Sequence, residues 1–133
     1  GTLYGNVLSL VAADAALKQV MTETAYSHVA SLGGTLADDL EKLIRKYGLP
    51  WSVQRLFNRS GITYGPNLPR TAHEAWSLAD PELNSLQRLY LANRGVWEAI
   101  SSAGPAISFP MQHSDVALYV DVFAQLLREL AER

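Results

Sequence analysis

Between Thr24 and Tyr47, the apolar residues Tyr26, Val29, Leu32, Leu36, Leu40, Leu43, Ile44 and Tyr47 recur at spacings of three and four. That period puts them on one stripe of a long helix. Glu41 and Arg45 stand four apart, and Lys42, Arg45 and Lys46 suit the negative end of the helix. Gly48 and Pro50 stop it. The weak point is Gly33-Gly34, since each glycine costs about 1 kcal/mol relative to alanine in a helix interior. A bend or a tight contact at that point would each account for it.

Ahead of this helix, Val7 to Met21 forms another. Val7, Leu8, Leu10, Val11, Ala12, Ala13, Ala15, Ala16 and Leu17 leave it almost no polar face, which predicts burial on most sides. After it, Trp51 to Phe57 alternates with Trp51, Val53 and Phe57 on one side. Ile62 to Tyr64 follows across Asn58-Arg59-Ser60-Gly61, a hairpin-like pair of strands. Gly65 to Arg70 reads as a loop, and Thr71 with Glu74 as a capping box for a short helix to about Leu78. Asp80 and Pro81 open a further helix that carries Leu83, Leu86, Leu89 and Tyr90 inward and ends at Arg94-Gly95. Val96 to Ile100 and Ala106 to Phe109 read as short strands around a turn. Glu98 stands inside the first of them, where an edge position facing solvent is expected. His113 or Ser114 then caps a last helix whose stripe of Val116, Tyr119, Phe123, Leu126, Leu127 and Leu130 is expected to pack on a small sheet. Helices on one side of a short, largely antiparallel sheet, preceded by a long connecting helix, make an α+β fold.

A chain of 133 residues can bury roughly two thirds of its unfolded surface, enough for one domain. Hydrophobic residues at 48% against charged ones at 18% exclude a disordered chain. The net charge of -2, with no basic run, argues against nucleic acid as a partner. Without cysteine there are no disulfides, thiolate metal sites or cysteine nucleophile. The three histidines, His28, His73 and His113, lack metal spacing. No apolar run has the length of a membrane span.

The opening Gly1-Thr2-Leu3-Tyr4-Gly5-Asn6 combines permissive backbone at two glycines with a hydroxyl beside free N-H groups, which suits a phosphate. An ordinary turn, with Asn6 capping the next helix, is the other reading. The ordered segments GTLYGNVLSLVAADAALKQV, LGGTLADDLEKLIRKYGLP, LQRLYLANRGVW and ISFPMQHSDVALYVDVFAQLLREL resemble the C-terminal part of a class III pyridoxal-phosphate-dependent aminotransferase, the group that includes glutamate-1-semialdehyde aminomutase. The opening is similar to that family's G-T-x-S-G-N-P-L, with Tyr4 for the serine and Val7 for the proline. The closing S-F-P-M-x-x-x-D-V looks more like the branch acting on β-amino acids, because the aminomutases carry histidine where Met111 stands.

The resemblance implies the C-terminal small domain of a fold-type I transferase. Residues 1–22 would be the phosphate-binding motif and connecting helix, and residues 23–133 the small domain. It implies pyridoxal 5'-phosphate as cofactor and small amino acid and keto acid substrates. It also implies a cytoplasmic homodimer whose active site is shared between subunits. Thr2, with Gly1 through its backbone, would contact the cofactor phosphate of the opposite subunit. Arg55 and Arg59, which flank the strand pair, are the candidates for holding a substrate carboxylate bidentately. The family's G-S-M-F segment is not reproduced cleanly, with Arg59-Ser60-Gly61-Ile62 near its place. The Schiff-base lysine lies upstream of the Gly-Thr motif in the family, and Lys18, Lys42 and Lys46 do not match it. The expectation is a C-terminal fragment, inactive alone. Two alternatives stand beside transamination: an aminomutase-type isomerase, and a non-catalytic interaction module with a transaminase-like fold.

Overall fold

The computed structural model describes residues 4–99 and 104–132. Among them the chain forms α1 (Val7–Gln19), α2 (Glu23–Lys46), β1 (Ser52–Leu56), β2 (Arg59–Thr63), α3 (Ala72–Ser77), α4 (Pro81–Ala92) and α5 (His113–Ala131). The periodic stripe makes α2 the central element. Its side chains Val29, Leu32, Leu36, Ala37, Leu40 and Ile44 are buried, and it packs against α5 and the β1–β2 hairpin. With Leu91 of α4 and Phe123, Leu126 and Leu127 of α5 they form the hydrophobic core.

Gly33 resolves the choice between a bend and a tight contact in favour of contact. A Cβ there would lie 2.6 Å from the Phe57 carbonyl oxygen and 2.9 Å from the Asn58 Cα, so the tip of the hairpin rests directly on the helix backbone. The hairpin is antiparallel with Val53 opposite Ile62 and Leu56 opposite Arg59. Its connection is Phe57-Asn58, two residues shorter than the Asn58–Gly61 turn expected from sequence. The tertiary context sets it: Ile107 N donates to Asn58 O at 2.8 Å and Asn58 Nδ2 donates to Ile107 O at 2.7 Å. Phe57 therefore sits in the turn with φ 55° and is not on the packed side of β1.

Other expectations change in the same way. No strand forms at residues 96–99, and Ile100 lies outside the described residues. The Ala106–Phe109 strand reduces to one antiparallel bridge between Ala106 and Arg59, supported by Ser60 N donating to Pro105 O at 3.1 Å. The last helix therefore lies on α2 and α4, not on a sheet, because two strands offer too little surface. Its N-cap is Gln112, not His113 or Ser114, with the Asp115 carboxylate accepting from Gln112 N at 2.7 Å. On α4 the buried residues are Gln87 and Leu91, whereas Leu86 and Leu89 face outward. The predicted caps Thr71 and Asp80 do form, accepting from Glu74 N and Leu83 N.

The largest departure is α1. Asn6 caps it as expected, yet none of its residues is buried, and Leu8 is 78% exposed. Apolar composition records a need for cover, and nothing described in this chain supplies it. Among the described residues no helix is long and apolar enough to cross a membrane.

Candidate functional site

A cavity of ≈ 650 Å³ opens between the start of α5, the 95–99 segment and the 104–111 segment that crosses β2. Leu36, Val96, Trp97, Ile107, Val116 and Leu118 give it apolar walls, and Arg59, Glu98, Asp115 and Tyr119 supply the ionisable groups. Its size and lining fit a small-molecule site. A smaller cavity of ≈ 400 Å³ lies on the other side of Gly104 and Pro105, against α3 and α4. Tyr64 lines it, and burial pushes its hydroxyl up to about 12.

Glu98 is the unusual group. The chain turns down after α4, with Val96 N donating to Leu91 O, and places the Glu98 side chain inside, 5% exposed. This corrects the expected solvent-facing edge, and no strand exists there to give it an edge. Oε1 accepts from the Tyr119 hydroxyl at 2.6 Å and from Gln87 Nε2 at 3.4 Å, while Oε2 is buried with no partner among the described residues. Burial raises the Glu98 pKa above its ordinary value, partly opposed by the two hydrogen bonds and the charge of Arg88. Burial, with Glu98 beside it, also holds the Tyr119 hydroxyl well above its usual range.

Of the sequence candidates, Arg59 lines the larger cavity and has no carboxylate within ion-pair distance among the described residues. Arg55 points elsewhere. It pairs with Asp38 of α2 at 2.7 Å and with Glu41 at 2.9 Å, and lines neither cavity. Strand alternation accounts for the split, since Arg55 shares the α2-facing side with Val53. Gly1 and Thr2 lie outside the described residues. His28 Nε2 lies 2.8 Å from the Met111 carbonyl oxygen, which ties α2 to the segment before α5. Among the described residues no group of acids and histidines could hold a metal ion. Tyr119 and Gln87 carry no local signal in the sequence: one sits in an ordinary apolar stripe, the other on a helix face read as polar.

No protein-family model matches the chain. In fold and sequence together, the chain matches the C-terminal part of class III pyridoxal-phosphate-dependent enzymes. It is 31% identical over 97 residues to "Glutamate-1-semialdehyde 2,1-aminomutase 2" of Geobacillus kaustophilus, covering 73% of this chain and 22% of that protein. To "Glutamate-1-semialdehyde 2,1-aminomutase 1" of Staphylococcus carnosus it is 28% identical over all of this chain and 31% of that protein. The chain thus spans less than a third of the length of these curated relatives. Among solved structures, a glutamate-1-semialdehyde aminomutase from Pseudomonas aeruginosa PAO1 in complex with PMP superposes with a TM-score of 0.89. It shares 31% identity over 95% of this chain and 28% of that one. A β-phenylalanine aminotransferase from Variovorax paradoxus, 20% identical, shares the fold with a TM-score of 0.88 over 97% of this chain and 30% of that one.

The described lysines stand away from both cavities. Lys18 pairs with Asp14, Lys42 with Asp39, and Lys46 lies against the Tyr47 ring; none of them lines either cavity. Gly104, which lines both cavities, makes room for protein: a Cβ there would meet the Ser60 carbonyl oxygen at 2.1 Å.

Proposed function

We propose that this chain is the small-domain part of a pyridoxal-phosphate-dependent class III enzyme that transfers an amino group between an amino acid and a keto acid. The observation that carries the reading is 31% identity with a TM-score of 0.89 across 95% of the chain to the Pseudomonas aminomutase. In such enzymes the cofactor supplies the electron sink and the protein supplies binding and orientation. Here residues 1–22 serve as phosphate motif and connecting helix, and residues 23–133 as the small domain. Thr2 holds the cofactor phosphate through its hydroxyl, with the Gly1 backbone beside it, in a cytoplasmic homodimer whose subunits share the site. Arg59, in the cavity without a carboxylate partner among the described residues, is the better placed of the two arginines to receive a substrate carboxylate. Arg55 holds β1 on α2. The lysine that carries the cofactor belongs to another part of the protein, and this chain alone is inactive.

An isomerase of the aminomutase type is the second reading, favoured by curated relatives that all bear that name. The test is the visible absorption of the complete gene product, purified with pyridoxal phosphate. A cofactor band that bleaches with an amino donor, with release of a keto acid, supports transamination. Conversion of glutamate-1-semialdehyde without any added donor supports the isomerase. A folded protein with no cofactor band would leave the non-catalytic interaction module. In the same protein Thr2→Ala should weaken pyridoxal-phosphate retention by about tenfold, the worth of one hydrogen bond to a charged group. An unchanged dissociation constant would remove Thr2 from the site.

A further inference from the structure

We propose that Asn58 and His28 are positioning residues of the larger cavity: neither lines it, and together they hold its 104–111 wall in the shape a ligand meets. The proposal rests on the reading of this cavity as a substrate site of the complete enzyme. It adds to that reading two residues that act only through the backbone they hold.

The wall has little structure of its own. Pro105, Ile107, Ser108, Pro110 and Met111 line the cavity, yet their segment forms only the one bridge between Ala106 and Arg59. Such a segment keeps its place through ties to what surrounds it, because its backbone groups have no ladder or helix to enter. Two remote side chains make those ties. Asn58 Nδ2 donates to Ile107 O at 2.7 Å, and Ile107 N donates back to Asn58 O at 2.8 Å. Further along, Met111 O lies 2.8 Å from His28 Nε2. A carbonyl oxygen can only accept, so this bond requires the ring proton on Nε2. Between the two fixed points Met111 N donates to Ser108 O at 3.1 Å, which closes the segment into a turn.

Each tie starts from a rigid mount. Asn58 is in the two-residue turn seated on Gly33 of α2, and Phe57 beside it holds φ 55°, a backbone conformation that bulky residues rarely adopt. Strain of this kind persists only where the surroundings over-determine the conformation, and it gathers at functional sites. His28 projects from α2 one turn before the fully buried Leu32. The central helix therefore carries both mounts, His28 directly and Asn58 through the contact at Gly33. Displacing a positioned group by about 1 Å costs an enzyme up to about 10²-fold in rate, even when the altered residue stands away from the chemistry.

The test compares variants of the complete protein. Asn58→Asp keeps the size of the side chain and replaces its N–H donor with an acceptor. It should raise KM for the amino substrate by about tenfold, the order of one lost hydrogen bond, while kcat and pyridoxal-phosphate retention stay within about twofold. His28→Ala should do the same, and His28→Gln, whose amide supplies an N–H in place of Nε2, should restore the KM. Hydrogen exchange read by mass spectrometry should show residues 104–111 losing protection about tenfold in Asn58→Asp and His28→Ala, with α5 unchanged. Loosening of the whole domain with KM unmoved is the mark of a merely structural role and would overturn the proposal, as would an unchanged KM beside a loosened wall. Should Asn58→Asp fail to fold, His28→Ala against His28→Gln decides. An active, cofactor-binding protein whose variants keep the original KM overturns this proposal alone. A protein with no cofactor band, in which the same variants still loosen 104–111 and not α5, overturns the aminotransferase reading and supports the two ties.

Discussion

A single added methyl group tests the closest approach in the molecule. Gly33→Ala would set a Cβ 2.6 Å from the Phe57 carbonyl oxygen, a backbone atom that cannot rotate away. The variant should lose about 1–3 kcal/mol in urea unfolding, the usual cost of overpacking, despite the better helix propensity of alanine. Unchanged or increased stability would mean that the hairpin is not seated on α2. Glu98 makes a second prediction at this scale. Its pKa is raised in the folded protein above the ordinary 4.5, so between that value and the folded one the native state keeps a proton that the unfolded chain releases. Stability should therefore fall as pH rises through that window and level off above it. Glu98→Gln should flatten that part of the profile, measured by urea titration from about pH 4 to pH 8; an identical slope in the variant would refute the assignment. The sequence marked Glu98 as a lone acid in an apolar run, but the hydroxyl and amide that receive it come from helices 21 and 11 residues away.

Among the elements, those closed by local chemistry were legible. Asp80 with Pro81, and Thr71 with Glu74, announce α4 and α3 in the sequence, and both caps form. Asp80→Ala should cost about 1 kcal/mol of stability by leaving the Leu83 amide without its acceptor, and Asp80→Asn should restore most of it. The Glu74 carboxylate accepts from Arg70 N at 2.7 Å, one residue ahead of the reciprocal capping-box bond, so even here the detail follows from the loop before it. The hairpin turn and the bridge at Ala106 depart from the local pattern because their hydrogen bonds join residues about fifty apart in sequence, Asn58 to Ile107. For α1 the composition is legible and its surroundings are not. Leu8→Asp should change the unfolding free energy of this chain by no more than about 0.5 kcal/mol, because the side chain is 78% exposed. A larger loss would show that α1 is covered in solution.

The whole molecule rests on the contact of α2 with α5. Phe123 is fully buried at the centre of that contact, and Phe123→Ala should cost about 3–5 kcal/mol, a large fraction of the stability of a domain this size. A melting temperature that hardly moved would contradict the core described. The sequence by itself determined the order and approximate limits of the helices, the stripe that makes α2 central and the core side of α5. Periodicity and caps act over a few residues, so they can be read one stretch at a time. Only the tertiary structure decided that α5 lies on a helix instead of a sheet, that Arg55 is held by Asp38 and Glu41 while Arg59 lines a cavity, and that Glu98 is buried with one oxygen unpartnered among the described residues. Each of these depends on which distant surface arrives at a given side chain, and a linear pattern of residues does not carry that information.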